Sequence, residues 1–211
     1  MKTSDLISAL VQDPVPAPRL GRVLLAGLAG GVLLAALTFA LALRPRPDLG
    51  EALEQLRVLA KFALGLGLAT AATGLLGRLA RPGVPGGGWR WSFLLPGLCV
   101  LVAVAAELVA VPPGAWEARL FGKNAAVCAP LILLISAGPL LCLLAALRHG
   151  APTRPGLAGA VAGVAAGGIA ATLYALHCPD DSPLFVAAWY SLAIGADALA
   201  GFLIGRRWLR W

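Results

Sequence analysis

The sequence is poor in charged residues, in histidine and in the motifs that catalysis requires. Only 13% of its 211 residues are charged and 59% are hydrophobic, whereas soluble domains carry about 25% charged residues. Histidine occurs only at His149 and His177. The chain contains no G-x-S-x-G, H-E-x-x-H, P-loop or dinucleotide-binding pattern. These absences argue against a soluble domain and against an enzyme, and they predict no cofactor.

Long apolar runs dominate what the sequence does have, and the mean hydropathy is +0.84. Runs of roughly 20 apolar residues are long enough to cross about 30 Å of hydrocarbon. Six such runs are Leu20–Leu43, Val58–Leu76, Trp91–Val111, Ala125–Leu147, Gly156–Leu176 and Leu184–Gly205. The sequence therefore predicts an all-α integral membrane bundle of six transmembrane helices over residues 20–211, preceded by a tail over residues 1–19.

The distribution of the 17 lysine and arginine residues predicts the orientation of this bundle. Eleven of them fall in segments on the side of the N-terminus and six on the other side. Cytoplasmic loops carry the excess of basic residues in membrane proteins. Both termini are therefore predicted to be cytoplasmic. The net charge of +7 follows from this topology and gives no reason to expect a nucleic acid partner.

The N-terminal tail has a pattern of its own. Leu6, Ile7, Leu10 and Val11 would lie along one stripe of a short helix, and the proline-rich stretch 14–18 predicts an extended spacer before the membrane. Two interpretations remain open. The tail is either an interfacial segment or a segment that folds against a cytoplasmic partner and buries its apolar stripe.

Four cysteines divide into two pairs by their depth in the predicted bundle. Cys99 and Cys142 fall in the inner halves of their spans, where a thiol serves as a small apolar side chain. Cys128 begins the fourth span and Cys178 ends the fifth. Two membrane crossings return the chain to the same face, so Cys128 and Cys178 are predicted to share the outer side.

The segment around Cys178 is the only short stretch that combines a thiol, an imidazole and two carboxylates. A disulfide between Cys128 and Cys178 is one possibility. Two thiolates with His177, and with Asp180 or Asp181, would make a site for a thiophilic metal. The third possibility is a pair of inert, structural cysteines. No C-x-x-C motif distinguishes among them.

Three ionisable residues are predicted to lie within the membrane. Lys61 and Glu107 fall near the outer ends of the second and third spans, where they are expected to pair with each other or to reach the interface. Asp197 lies in the inner half of the last span and is expected to bind a polar neighbour or to reach toward Arg206. A path through all three would instead indicate a small permease for a metal or organic ion. A thiol oxidoreductase is a further alternative, although residues for a quinone site are not evident.

Two local patterns predict details of the packing. Asp48 followed by Glu51 is typical of a capping box that opens a helix, and this helix is expected to run into the second span. Gly159, Gly163 and Gly167, like Gly27 and Gly31, follow the G-x-x-x-G spacing. That spacing lets helices approach each other closely in a membrane.

Several short segments together resemble the NrsF-type membrane anti-sigma proteins, six-span negative regulators of extracytoplasmic-function sigma factors. The similarity covers nearly the whole chain, and the Leu-His-Cys sequence followed by Trp-Tyr is its most specific part. The chain has Asp180-Asp181 where a Glu-Asp pair is expected. The segments are Met1–Leu10, Leu43–Leu49 with Lys61 after it, Gly138–Leu141, Ala146–Pro152, Tyr174–Cys178, Phe185–Tyr190 and Gly205–Trp211.

The resemblance implies a multi-pass protein of the bacterial inner membrane that represses transcription by holding a sigma factor at the cytoplasmic face. It implies that Cys128 and Cys178, with His177 beside them, respond to heavy metal or oxidant stress. It also implies that the tail stripe contacts the sigma factor. The partners expected on this basis are an extracytoplasmic-function sigma factor, membrane lipid and a thiophilic metal ion that acts as a signal.

Overall fold

The computed structural model describes residues 3–5, 8, 20–84 and 86–210, and those residues form helices and connecting turns without a β-strand. All six predicted spans are present as helices long and apolar enough to cross a membrane, which confirms an all-α fold with six candidate spans; the cytoplasmic location of the termini stays a prediction. Leu6, Ile7, Leu10 and Val11 lie outside the described residues. The long helices are α1 (Leu20–Ala42), α2 (Leu56–Leu79), α3 (Leu94–Ala110), α4 (Ala125–Leu147), α5 (Pro155–Ala175) and α6 (Ser191–Trp208).

Shorter helices lie between the long ones. A turn of π-helix directly before α6 has one more residue per hydrogen-bonded ring than an α-helix, and such turns often occur at functional sites. The short elements are Leu49–Ala52, Gly87–Arg90, Pro113–Ala115, Trp116–Phe121, Pro183–Phe185 and the π-helical turn Val186–Tyr190.

The predicted capping box does not form. Asp48 lies at the N-cap of the helix Leu49–Ala52, but its side chain makes no capping hydrogen bond. The carboxylate instead accepts two hydrogen bonds from the Arg46 guanidinium, each 2.7 Å long. A bidentate, charged pair is stronger than a bond to a backbone N–H. The helix ends at Ala52, separate from α2, so the prediction that it runs into the second span is wrong.

Helix α5 lies between α2 and α6, and glycines bring it close to both. A Cβ at Gly159 would meet the backbone carbonyl of Gly201 in α6. On the opposite side, a Cβ at Gly168 would lie 2.8 Å from the backbone nitrogen of Ala69 and 3.0 Å from the carbonyl of Gly65, both in α2. Close backbone contact of this kind depends on small residues. The G-x-x-x-G prediction is therefore confirmed for α5.

Helix α1 packs against α4 in the same way. A Cβ at Gly27 would lie 2.8 Å from the Cβ of Ala146, and a Cβ at Gly31 would lie 2.9 Å from the Cα of Pro139. Both glycine patterns singled out in the sequence therefore serve helix contacts within one chain.

The buried side chains form two clusters, one at each end of the bundle. The cysteine-side cluster contains Cys128, Cys178 and four aromatic residues, Phe39, Tyr174, Phe185 and Tyr190. The terminal-side cluster lies where α1 begins and α6 ends, and its members include Leu76, Leu144, Leu147, Ala162 and Leu209. The prediction that Cys128 and Cys178 come to the same end of the bundle is confirmed.

Candidate functional site

Cys128 and Cys178 are free thiols, and both are fully buried. Cys128 lies in the first turn of α4, where its N–H donates to the Asn124 carbonyl (2.9 Å), and Cys178 follows the end of α5, where its N–H donates to the Tyr174 carbonyl (3.0 Å). Cys99 is exposed at the surface of the helix bundle and Cys142 is half-buried. The two pairs that the sequence separates by depth thus also differ in burial.

The two thiols are enclosed by aromatic rings. The ring centroids of Tyr174 and Tyr190 lie 5.9 Å apart, and those of Phe185 and Tyr190 lie 6.4 Å apart. The two phenol hydroxyls approach the thiols without meeting the geometry of a hydrogen bond, and they have no partner among the described residues. Packed protein interiors leave little free space. We therefore expect a group added to either sulfur to displace one of these rings.

Residues 176–182, here named the latch segment, connect α5 to the helices that lead into α6. Lys61 of α2 binds this segment. Its Nζ donates to the carbonyl oxygens of Cys178 (2.9 Å) and Asp180 (3.1 Å) and to Oδ1 of Asp181 (2.9 Å). These bonds use all three protons of the ammonium, which also lies 5.5 Å from the centroid of the Tyr190 ring.

The loop after α1 binds the same segment. The Arg46 N–H donates to the Leu176 carbonyl (2.9 Å), and its Nη1 donates to Oδ2 of Asp181 (2.7 Å). Hydrogen bonds to the carboxylates of Asp48 and Asp181 raise the pKa of the Arg46 guanidinium above its ordinary value. This arginine therefore stays charged and holds two acidic side chains together.

His177 also binds the loop that follows α1. Its Nδ1 lies 2.7 Å from the Arg44 carbonyl oxygen, and because a carbonyl only accepts, Nδ1 carries the proton in this contact. The ring also packs on Tyr174, with centroids 5.9 Å apart. His177 thus borders the aromatic residues around the thiols, and one of its nitrogens is already bound.

Asp180 holds the latch segment to the N-terminus of α4. Its carboxylate accepts hydrogen bonds from the backbone N–H groups of Lys123 (3.1 Å) and Asn124 (3.0 Å) and from the Asn124 side chain (2.9 Å). A carboxylate at this position also interacts favourably with the helix dipole. Gly122 permits the contact, because its φ is +53° and a Cβ there would lie 2.6 Å from Asp180 Oδ1.

Glu107 of α3 also binds the latch segment. Its side chain is 1% exposed, and its Oε1 accepts from Arg119 (3.1 Å) and from Ser182 of the latch segment (3.2 Å). Its Oε2 lies 3.4 Å from Nη2 of Arg57 without hydrogen-bond geometry. Lys61 and Glu107 do not pair with each other, which is one of the two arrangements expected from the sequence; each binds the latch segment separately.

The described residues contain no group of three or more His, Cys, Asp and Glu side chains arranged to hold a metal ion. Both carboxylates of the latch segment are bound to cations or backbone amides. Burial raises the pKa of the Cys178 thiol above its ordinary value, and the nearby Lys61 ammonium opposes this by a smaller amount. The thiol is thus protonated near neutral pH, and a metal or an oxidant reacting there must first displace its proton.

Asp197 lies apart from this network. Ser136 of α4 donates to its Oδ1 (2.7 Å), whereas Oδ2 is buried with no hydrogen-bond partner in the described part of the chain. The polar neighbour that the sequence predicts is thus Ser136, and Arg206 instead lies 6.0 Å from the centroid of the Phe202 ring. A cavity between α2 and α3 is lined by Lys61 and Glu107 but not by Asp197. The three residues of the permease alternative therefore do not line one cavity.

Several residues of the site are not identifiable from the sequence as parts of it. Arg46 and Asn124 are separated from Cys178 by many residues, and no local pattern links either of them to it. Tyr174 and Tyr190 do carry a signal, because they are the only two tyrosines of the chain and they flank the latch segment on either side.

Comparison with known proteins identifies the family. Residues 9–211 match the family described as "NrsF: Negative regulator of sigma F". The chain is 40% identical to "Anti-sigma-F factor NrsF" of Caulobacter vibrioides over 222 residues and 36% identical to "Probable anti-sigma-F factor NrsF" of Azospira oryzae over 221 residues, with both chains fully covered in each case. No solved structure matches the chain. The chain belongs to the NrsF family of negative regulators of sigma F.

Proposed function

We propose that this protein is an anti-sigma factor of the bacterial inner membrane. It holds an extracytoplasmic-function sigma factor inactive at its cytoplasmic face and releases it when Cys128 and Cys178 react with a heavy metal or an oxidant. Family membership and the names of both full-length relatives support binding to a sigma factor. The six apolar helices support a membrane location. The distribution of lysine and arginine supports cytoplasmic termini.

The N-terminal tail is the proposed contact with the sigma factor. Leu6, Ile7, Leu10 and Val11 form an apolar stripe at helical spacing. A helix of about three turns is marginal alone in water, so this segment gains its fold from the surface against which it packs. The recognition mode is that of an amphipathic helix laid in a groove of the partner.

The observation that carries the sensing step is the attachment of the latch segment to four parts of the bundle. Lys61 binds it to α2, Arg46 to the end of α1, Asp180 to the start of α4 and Ser182 to Glu107 of α3. Cys178 belongs to this segment, and Cys128 lies one turn into α4. A reaction at either thiol therefore acts at the point where the ends of these helices are held together.

Two reactions of the thiols are proposed, namely binding of a metal ion and oxidation to a disulfide. A thiophilic metal ion forms two metal–sulfur bonds and releases two protons to water. Oxidation to a disulfide forms one sulfur–sulfur bond and passes two electrons and two protons to the oxidant. Because the rings of Tyr174, Phe185 and Tyr190 pack in the same cluster as the thiols, we expect them to shift when either product forms. Both reactions therefore favour a second arrangement of the cysteine-side cluster.

Helix α5 is the route by which this change reaches the other end of the bundle. Its glycine contacts with α2 and α6 bring the backbones too close together for the three helices to shift independently. Moving a two-state equilibrium from 1:99 to 99:1 requires about 5.5 kcal/mol of differential binding. Bonds from two thiolates to a soft metal, or a disulfide, are strong enough to supply this.

A capture experiment tests the anti-sigma function. The co-expressed sigma factor is pulled down with the full-length protein, with a form lacking residues 1–12, and with a variant in which Leu6 and Leu10 are both changed to serine. We expect capture by the full-length form and loss with the other two, while Ser8→Ala, which lies off the stripe, behaves as the full-length form. Capture by all forms would move the binding surface to the inner loops. Capture by none would contradict the proposed function.

A further inference from the structure

A cavity of about 300 Å³ lies between α2 and α3 at the cysteine side of the bundle. This volume is at the lower end of the range for small-molecule sites, about 300–1,000 Å³. Helix α3 contributes small side chains to the wall, including Ala103 and Ala106, so the gap between the two helices is left unfilled. The lining residues are Leu56, Arg57, Ala60, Lys61, Leu64, Val100, Ala103, Ala106, Glu107, Ala110, Asp181, Pro183 and Val186.

The cavity is polar at one end and apolar at the other. Its charged residues lie near the helix ends at the cysteine side, and Leu64, Val100 and Ala103 lie deeper in the bundle. Glu107 and Val100 are seven residues apart on α3, a rise of about 10 Å at 1.5 Å per residue. A phospholipid has the same order along the membrane normal, with a charged head group above apolar chains.

The cavity lies at the edge of the bundle, where lipid can reach it. Among the residues of α3, only Pro96 and Glu107 are buried, and Val109 is 90% exposed. Helix α3 therefore meets the rest of the protein along a narrow face. A head group held between α2 and α3 can leave its acyl chains outside, against the apolar surfaces of these helices.

The charged groups in the cavity differ in whether all of their polar atoms have a hydrogen-bond partner in the protein. Lys61 donates to Asp181 and to two carbonyls of the latch segment, and Asp181 also accepts from Arg46. Glu107 Oε2, on a side chain that is 1% exposed, has no hydrogen bond, and the nearby Arg57 side chain is 47% exposed. The cavity thus offers one buried carboxylate oxygen that can accept a proton donor and one guanidinium that can bind an anion.

We propose that this cavity binds a zwitterionic phospholipid with a primary ammonium group, that is, a phosphatidylethanolamine. The ammonium donates to Glu107 Oε2, and the phosphate accepts from the Arg57 guanidinium. A quaternary choline group has no N–H to donate, and a glycerol head group offers Glu107 Oε2 only neutral hydroxyls, which form weaker hydrogen bonds to a carboxylate than an ammonium does. The charge pattern therefore selects ethanolamine over both. Lys61 and Asp181 also line the cavity, so the bound lipid lies next to the latch segment.

Native mass spectrometry of the full-length protein released from lipid nanodiscs tests this assignment. The nanodiscs contain phosphatidylcholine with equal small amounts of phosphatidylethanolamine and phosphatidylglycerol. We expect one phosphatidylethanolamine to remain bound per chain, with a preference over phosphatidylcholine of about tenfold, as one charge-assisted hydrogen bond would give. Equal retention of the three lipids, or selective retention of phosphatidylglycerol, would overturn the proposal.

Two variants locate the site. Glu107→Gln removes the anionic acceptor and is expected to abolish the preference for ethanolamine. Because Glu107 also binds Arg119 and Ser182, Ala103→Leu provides an independent test: the larger side chain fills the cavity without removing a charge, and retention of lipid should fall to background. Ala105→Leu adds the same volume on an exposed position of α3 that does not line the cavity, and it should retain the lipid. Undiminished retention in Ala103→Leu would show that the lipid binds elsewhere.

Discussion

The Lys61 ammonium on α2 donates a 2.9 Å hydrogen bond to the backbone carbonyl of Cys178. A buried cation, 2% exposed, is thus bound directly to one of the two candidate sensing cysteines. Buried charges in a membrane helix are costly and are retained where they have a partner and a role. In this protein the role is to fix the position of the latch segment relative to α2.

Replacement of Lys61 by methionine removes this attachment. The carbonyls of Cys178 and Asp180 lose their donor, and Asp181 keeps only Arg46. Breaking a buried ion pair by removing one partner costs about 3–5 kcal/mol. We expect Lys61→Met to lower the free energy of unfolding in mixed micelles by this order and to speed labelling of Cys178 by a maleimide. The exposed Lys123 provides the matched control, because Lys123→Met leaves the latch segment intact. Equal stability of the two variants would contradict this role.

Replacement of Asp180 by alanine removes the acceptor at the start of α4. The N–H groups of Lys123 and Asn124 lose their hydrogen bonds to a charged carboxylate, and bonds of this kind are worth about 1.5–3 kcal/mol. Hydrogen exchange of these two amides should become faster while the amides in the middle of α4 remain protected. Asp180→Asn keeps one acceptor oxygen and should lie between wild type and Asp180→Ala. Unchanged exchange in Asp180→Ala would show that the Asp180 carboxylate does not stabilise this turn.

The pH dependence of Cys178 follows from its raised pKa. Burial favours the neutral thiol, so the folded protein holds this proton more tightly than the unfolded chain. The resulting stability is complete below the ordinary thiol pKa of about 8.5. It is lost as the pH rises through the higher value of the folded protein. We expect iodoacetamide to alkylate Cys178 more slowly in the folded protein than in the unfolded chain, with a rate that still rises above pH 9. A rate that levels off below the ordinary value would contradict the burial of this thiol.

Replacement of Gly159 by alanine tests the close contact between α5 and α6, on which the proposed transmission through α5 depends. The new Cβ would meet the carbonyl of Gly201, and overpacking of this kind costs about 1–3 kcal/mol. Gly195 lies on α6 with no other atom within 4 Å of an added Cβ, so Gly195→Ala is the matched control and should be neutral or slightly stabilising. Thermal unfolding in detergent compares the two. Equal unfolding temperatures would contradict the close contact of α5 with α6.

The sequence predicts the helices and the common depth of Cys128 and Cys178 because both depend on the length of apolar runs. It does not predict the partners of Lys61 and Glu107. Hydropathy places each residue at a depth in the membrane, but it does not indicate which side of its helix faces which neighbour. The similar depth of Lys61 and Glu107 leaves open whether they pair or reach the interface, and in the structure each binds the latch segment from a different helix.

Competition between hydrogen-bond partners explains why the predicted capping box does not form. The Asp48 carboxylate is positioned to cap a helix, and the Arg46 guanidinium two residues before it binds it instead. This contact lowers the pKa of Asp48. Which partner prevails depends on where Arg46 is held, and that position is set by its contacts with Asp181 and Leu176, more than a hundred residues away in the sequence. A local pattern contains no information about such contacts.

The response of the bound sigma factor to a thiol-directed signal tests the central claim most directly. The complex is formed in cells with wild-type protein and with two double variants, Cys128→Ser/Cys178→Ser and Cys99→Ser/Cys142→Ser, and release of the sigma factor is measured after exposure to cadmium or chromate. We predict release from wild type and from Cys99→Ser/Cys142→Ser, and retention by Cys128→Ser/Cys178→Ser. Normal release from Cys128→Ser/Cys178→Ser would contradict the assignment of Cys128 and Cys178 as the sensor.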